Sequence, residues 1–155
     1  MREGNIIYLK DATGAQLMEV FGNKENHKAQ LFNWVKPNKS KVYVYYAGHG
    51  APDIKSRTAF LIPYDGDPNY ASQTGYAVDE MTSNLSQLGA RSVTVFLDAC
   101  FSGANRDNEM LLADARPVFM EVDESATRDV TVFSAAGGKE ISSAWPEKKH
   151  GLFSY

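Results

Sequence analysis

Short runs of β-branched and aromatic residues alternate along the chain with segments of helical periodicity. The clearest runs are Val42-Tyr43-Val44-Tyr45, Val93-Thr94-Val95-Phe96-Leu97 and Val130-Thr131-Val132-Phe133-Ser134. The first two lack strict apolar–polar alternation, so they predict strands over 42–46 and 92–97 that are covered on both faces. Ala59-Phe60-Leu61-Ile62, closed by Pro63, predicts another short strand, and Ile6-Ile7-Tyr8-Leu9 a weaker one. Leu17, Met18 and Phe21 share one helical face, with Gly22 as the stop. A second helix is expected over 27–35, with Lys28, Leu31, Phe32 and Val35 on one side, Asn26 as its cap and Pro37 beyond its end. Residues 64–75 are rich in Asp, Gly, Asn, Pro and Ser and predict a loop. Val78, Met81, Leu85 and Leu88 then recur at helical spacing, and Gly89 follows. Residues 104–129 are polar enough to predict a surface excursion with one short helical piece near Leu111. Strands alternating with helices indicate an α/β fold around a mostly parallel sheet.

Two of these strands end in small-residue turns that carry reactive side chains. The first runs into Tyr46-Ala47-Gly48-His49-Gly50, the second into Asp98-Ala99-Cys100-Phe101-Ser102-Gly103. In open parallel sheets, reacting groups gather beyond the carboxyl ends of the strands. If the two strands are neighbours, an imidazole and the only thiol of the chain meet at one sheet edge. A free thiol is only a few per cent ionised at neutral pH, and a histidine can remove its proton and later protonate a leaving amine. The glycines flanking His49 let the backbone turn sharply and a substrate approach, and the N–H groups of Gly50 and Cys100 are candidates for an oxyanion hole. The bland alternatives are a buried cysteine acting as a small core hydrophobe and a histidine that merely occupies a loop. Trp34, Tyr43, Tyr45 and Tyr46 read as packing residues, and His27 and His150 as surface residues.

Composition narrows the partners. The 155 residues carry 43% hydrophobic and 23% charged side chains and a net charge of −3, as in an ordinary globular domain. That charge, and the lack of a basic block, disfavour nucleic acid and anionic membranes as partners. One cysteine permits no internal disulfide and fits a reducing compartment. No basic leader with an apolar stretch opens the chain, and no apolar run approaches the roughly 18 residues that would span a bilayer. The expectation is a soluble protein, with the cytoplasm slightly favoured.

Together the two turns resemble the catalytic blocks of caspase-like cysteine peptidases (clan CD, peptidase family C14). Tyr-Ala-Gly-His-Gly and Asp-Ala-Cys-Phe-Ser-Gly are closer to the bacterial and metacaspase-like branch than to animal caspases, which carry Gln-Ala-Cys in the second block. Val132-Phe133-Ser134-Ala135-Ala136 and His150-Gly151-Leu152-Phe153-Ser154-Tyr155 also look like bacterial members. The separation of His49 from Cys100 fits caspases, whose histidine lies about 50 residues upstream of the cysteine. The resemblance spans residues 41–155. It implies a three-layer α/β/α sandwich, with His49 as general base and acid, Cys100 as nucleophile, and the Gly50 and Cys100 N–H groups receiving the oxyanion.

The resemblance also implies a substrate. In metacaspase-like enzymes the aspartate two positions before the nucleophile helps form an acidic S1 pocket, and Asp98 holds that position. Its carboxylate suits a guanidinium or an ammonium, so a polypeptide cut after Arg or Lys is expected. Cleavage after Asp would need arginines in the pocket, and the two blocks hold none. Asp98 as a mere cap of the turn is the plainer alternative. No cofactor is needed for the chemistry. Several metacaspases are activated by calcium, for which Asp65, Asp67, Asp79 and Glu80 are weak candidate ligands without EF-hand spacing.

The family division makes 1–155 a single catalytic domain: 1–103 like a large subunit, 104–129 like the linker, and 130–155 like the start of a small subunit. Arg106, Arg116 and Arg128 lie in that linker-like stretch as conceivable self-cleavage sites. A central strand before the first helix and a helix after the last apolar block are not found, so the sheet is expected to be incomplete at both termini. A non-catalytic caspase-like module that binds partners is the competing reading. Another α/β fold with coincidental turns lacks support, since no G-x-S-x-G elbow, P-loop or G-x-G-x-x-G is present.

Overall fold

A computed structural model describes residues 3–53, 56, 58–99, 101 and 130–134, and the backbone of 144–145 and 150–151. Its centre is a parallel three-stranded sheet in the order β1 (Lys41–Ala47), β5 (Ser92–Asp98), β6 (Val130–Ser134). A second, antiparallel sheet joins β2 (His49–Asp53), β3 (Thr58–Ile62) and β4 (Tyr76–Ala77), and β7 (Ala144–Trp145) pairs with β8 (His150–Gly151). Among the described residues there are four α-helices, α1 (Gly14–Phe21), α2 (Gln30–Trp34), α3 (Ala71–Thr74) and α4 (Val78–Ser86). The fold is α/β with a mostly parallel main sheet, as the strand–helix alternation predicts.

The parallel sheet alternates after all. Val42, Val44, Val93, Val95 and Leu97 face a core shared with Leu17 of α1, Val78, Met81 and Leu85 of α4, and Leu61 of β3. On the opposite face Tyr43 is 55% and Tyr45 58% exposed, so the expectation of strands covered on both faces is corrected for β1. Tyrosine and threonine allow this, because their apolar bodies suit a pleated surface while their polar ends accept water. Phe96 and Phe133 stack on that face, ring centres 5.4 Å apart. Strand β3 is buried on both sides. Ala59 and Leu61 enter the main core, while Phe60 and Ile62 pack with Ala51, Ala71 and Ala77. That explains its unbroken apolar run.

Helix α1 begins in a capping box. The Gln16 N–H donates to Thr13 Oγ1 at 3.3 Å and the Thr13 N–H to Gln16 Oε1 at 2.9 Å. It ends at Gly22, whose φ of +88° only glycine adopts readily. The second helix is shorter than its periodicity predicts. Asn26 does not cap it; its Oδ1 accepts from the Lys28 N–H at 2.9 Å, while Asn23 Oδ1 takes the N–H groups of Glu25 and Asn26. These local turns satisfy the backbone without a helix, and α2 starts only after Ala29.

Two other expectations are corrected. Residues 6–9 form no strand, and Ile6 and Tyr8 are exposed, since no neighbouring chain among the described residues supplies a ladder. The predicted loop 64–75 contains a 3-10 turn, Pro68–Tyr70, and helix α3. Asp67 caps that turn by accepting the Asn69 N–H at 2.8 Å, and Pro68 pre-sets its first residue. The excursion 104–129 lies outside the described residues.

Because Leu61 is fully buried between the two sheets, Leu61→Ala is expected to cost about 2–5 kcal/mol in urea unfolding. Tyr64→Ala, three residues on and 76% exposed, is expected to cost less than about 0.5 kcal/mol.

Candidate active site

The ladder between β1 and β5 runs with a constant offset, Lys41 opposite Ser92 through Ala47 opposite Asp98. Both ends are closed by main-chain hydrogen bonds. The Arg91 N–H donates to the Ser40 carbonyl at 2.8 Å, and the Gly48 N–H to the Asp98 carbonyl at 3.3 Å. The two strands therefore leave the sheet side by side at their carboxyl ends, where parallel α/β sheets carry their ligands.

From that edge the first chain turns at Gly48 into β2, whose first residue is His49. His49 is exposed and faces Ile62 across the β2–β3 ladder. Gly50 is buried inside β2 opposite Leu61 rather than lying in an open turn. Neither Gly48 nor Gly50 has a positive φ, so the expected sharp turn does not use the left-handed region. Gly48 answers a different need. A Cβ on it would lie 2.7 Å from the Tyr46 hydroxyl and 2.9 Å from its Cζ. That hydroxyl donates to the carbonyls of His49, at 2.8 Å, and of Ile62, at 3.0 Å. Packing alone had been expected of Tyr46; its place at the strand end, beside a residue with no side chain, is the signal in the sequence for this contact.

Asp98 ends β5 and is 1% exposed. Tyr45 Oη lies 3.5 Å from its Oδ2, at the outer limit of a hydrogen bond. Cys100 lies outside the described residues; its chain neighbours Ala99 and Phe101 are both buried. His27 is half-buried with its ring edge-on to Phe32, and the side chain of His150 is not described. The paired ends of β1 and β5 thus put one exposed imidazole, His49, and one buried carboxylate, Asp98, at the same sheet edge.

The acidic residues weighed as calcium ligands are not brought together. Asp65 Oδ1 accepts the Gly14 N–H at 2.8 Å, Asp67 caps the 3-10 turn, and Asp79 and Glu80 sit in the first turn of α4. Among the described residues, no three His, Cys, Asp or Glu side chains gather as a metal site. Glu80 borders a separate cleft of about 350 Å³ with Lys24, Thr58 and Asn84, which none of His49, Gly50 or Asp98 lines. Partial burial raises the Glu80 carboxyl above its ordinary pKa, opposed by Lys24. Burial, with Glu80 nearby, likewise raises the Tyr76 phenol, whose hydroxyl donates to the Gly22 carbonyl at 2.8 Å.

The family model of peptidase family C14, the caspase domain, matches residues 18–155. The chain belongs to the caspase-domain family. Among curated proteins nothing matches it. Membership makes this caspase domain a cysteine-peptidase-type chain, for which a polypeptide is the substrate class. The match begins within α1 and takes in both strand-end turns. No helix among the described residues is long and apolar enough to cross a membrane.

The Gly48–Tyr46 contact is open to a double-mutant cycle. Gly48→Ala in this caspase domain is expected to cost about 1–3 kcal/mol, because the tyrosine ring must withdraw. In a Tyr46→Ala background the same change is expected to cost far less, and urea unfolding of the four proteins measures the coupling.

Proposed function

We propose that this chain is a cysteine endopeptidase of the metacaspase-like branch that cleaves after Arg or Lys through a dyad of His49 and Cys100. The observation that carries the reading is the register of β1 and β5. Ala47 and Asp98 form the last pair, and His49 and Cys100 each come two positions later. A base and a thiol at equal distances past the end of adjacent parallel strands are well situated to meet.

In the proposed reaction the His49 imidazole takes the Cys100 proton and the thiolate attacks the scissile carbonyl. The resulting oxyanion is received by the N–H groups of Gly50 and Cys100. The imidazolium gives its proton to the leaving amine as the C–N bond breaks, which leaves a thioester on Cys100. Water, deprotonated by His49, then attacks the thioester; the carboxylic product departs and the thiol is restored. No metal or cofactor enters these steps.

Asp98 is the proposed receptor for the basic P1 side chain. Its carboxylate is screened from bulk water at the same sheet edge, where a guanidinium or ammonium gains more from the pairing than it would on an open surface. The division into a large-subunit-like 1–103, a linker-like 104–129 and a small-subunit-like start at 130 belongs to the same proposal, with β6 as the first strand of the last part.

Fluorogenic peptides ending in Arg, Lys and Asp test these roles. Cleavage of the Arg and Lys peptides alone is expected. Cys100→Ala should abolish it, and the nearly isosteric Asp98→Asn should lower kcat/KM for the basic peptides by about 2 kcal/mol or more in transition-state binding. Full Arg cleavage by Asp98→Asn would remove Asp98 from the pocket, and cleavage by Cys100→Ala would end the dyad.

A further inference from the structure

The connection from β1 to β2 is gripped from two sides. The Gly48 N–H is bonded to the Asp98 carbonyl at the end of β5. One residue on, the His49 carbonyl is bonded to the Tyr46 hydroxyl, which also reaches the carbonyl of Ile62. His49 and Ile62 are cross-strand partners, so a single phenol proton is shared by two facing carbonyls at the first rung of the β2–β3 hairpin. The tyrosine itself is anchored in β1, where its half-buried ring packs against the main core. The hydroxyl thus ties the strand that leads into the histidine, the histidine's own backbone and the hairpin that follows.

His49 needs such a tie because its side chain is exposed. An imidazole without close packing has its position set by where its main chain is held, and small misplacements of a reacting group are costly in rate. Gly48 makes the arrangement possible, since any side chain there would strike the hydroxyl.

We propose that Tyr46 is the positioning residue for His49: its hydroxyl, donated to the His49 and Ile62 carbonyls, fixes the histidine relative to the carboxyl end of β5. This rests on the reading of His49 as the base that activates Cys100. Removing the hydroxyl leaves the imidazole chemically intact and lets its backbone drift. The thiol should then lose its help in ionising even in a folded protein.

The single cysteine provides a direct readout. The pH dependence of iodoacetamide alkylation of the full chain reports Cys100 alone. Wild type, His49→Ala and Tyr46→Phe are compared at a temperature where circular dichroism shows each folded. A fourth protein carries p-aminophenylalanine at position 46, which restores a donor in place of the hydroxyl. His49→Ala is expected to move the alkylation profile toward that of a free thiol, near pH 8.5. Tyr46→Phe should move it in the same direction by about one pH unit, a roughly tenfold slower reaction on the acid limb, and the p-amino variant should return it. A merely structural role would change the folded fraction and leave the profile of the folded protein in place. If His49→Ala shifts the profile while Tyr46→Phe keeps the wild-type one, the positioning role is wrong and the dyad stands. A p-amino variant that behaves like Tyr46→Phe also overturns the role of the donated hydrogen bond. If His49→Ala itself shifts nothing, the dyad reading fails and the positioning role falls with it.

Discussion

The ladder between β1 and β5 is the constraint on which the rest of the site depends. Seven residue pairs hold the two strands in one register, and main-chain bonds from Arg91 and Gly48 close it at both ends. A slip of one residue would reverse the face of every side chain in β1, sending Val42 and Val44 to water and Tyr43 and Tyr45 into the core. The burial of the two valines therefore fixes the register, and the register fixes which residues emerge together at the carboxyl edge. The chemistry proposed for His49, Asp98 and Cys100 depends on packing some distance below it.

The second sheet continues from this edge, beginning at His49. Strand β3 contributes side chains to two apolar clusters, and β2 pairs with it along the hairpin that begins at His49. The Tyr46 hydroxyl links that hairpin to β1 through the His49 and Ile62 carbonyls. Asp98 meanwhile stays at the end of a central strand, shielded from solvent, where the proposed pairing with a basic P1 side chain would be least screened by water.

Much of this was legible in the sequence because the signals were local and unopposed. The apolar runs of β3, β5 and β6, the α4 periodicity ending near Gly89, and the Gly22 stop of α1 are all found where their residues indicate. The misses have physical causes. Strand β2, His49-Gly50-Ala51-Pro52-Asp53, reads as a turn because glycine and proline suit strands poorly; as the edge of its sheet, it can spare the N–H that Pro52 lacks. The sequence predicts a helix from residue 27 with Asn26 as its cap, but Asn23 and Asn26 bond nearby backbone N–H groups instead and the helix starts at Gln30. Ile6–Leu9 has strand composition without a strand to pair with among the described residues. At the site, the positions of His49 and Asp98 followed from the two strand ends. The Tyr46 bridge did not, because it depends on a hairpin whose first strand is disguised.

The central claim is that the β1–β5 register delivers His49 and Cys100 to one reacting centre. It is tested most directly by a crystal structure of the chain bound to a peptidyl-arginine aldehyde, which a nucleophilic thiol captures as a thiohemiacetal. The account predicts density joining the aldehyde carbon to the Cys100 sulfur, the His49 imidazole within hydrogen-bond reach of the adduct, and the arginine side chain on the Asp98 carboxylate. An adduct at Cys100 with His49 turned away and out of reach would contradict it.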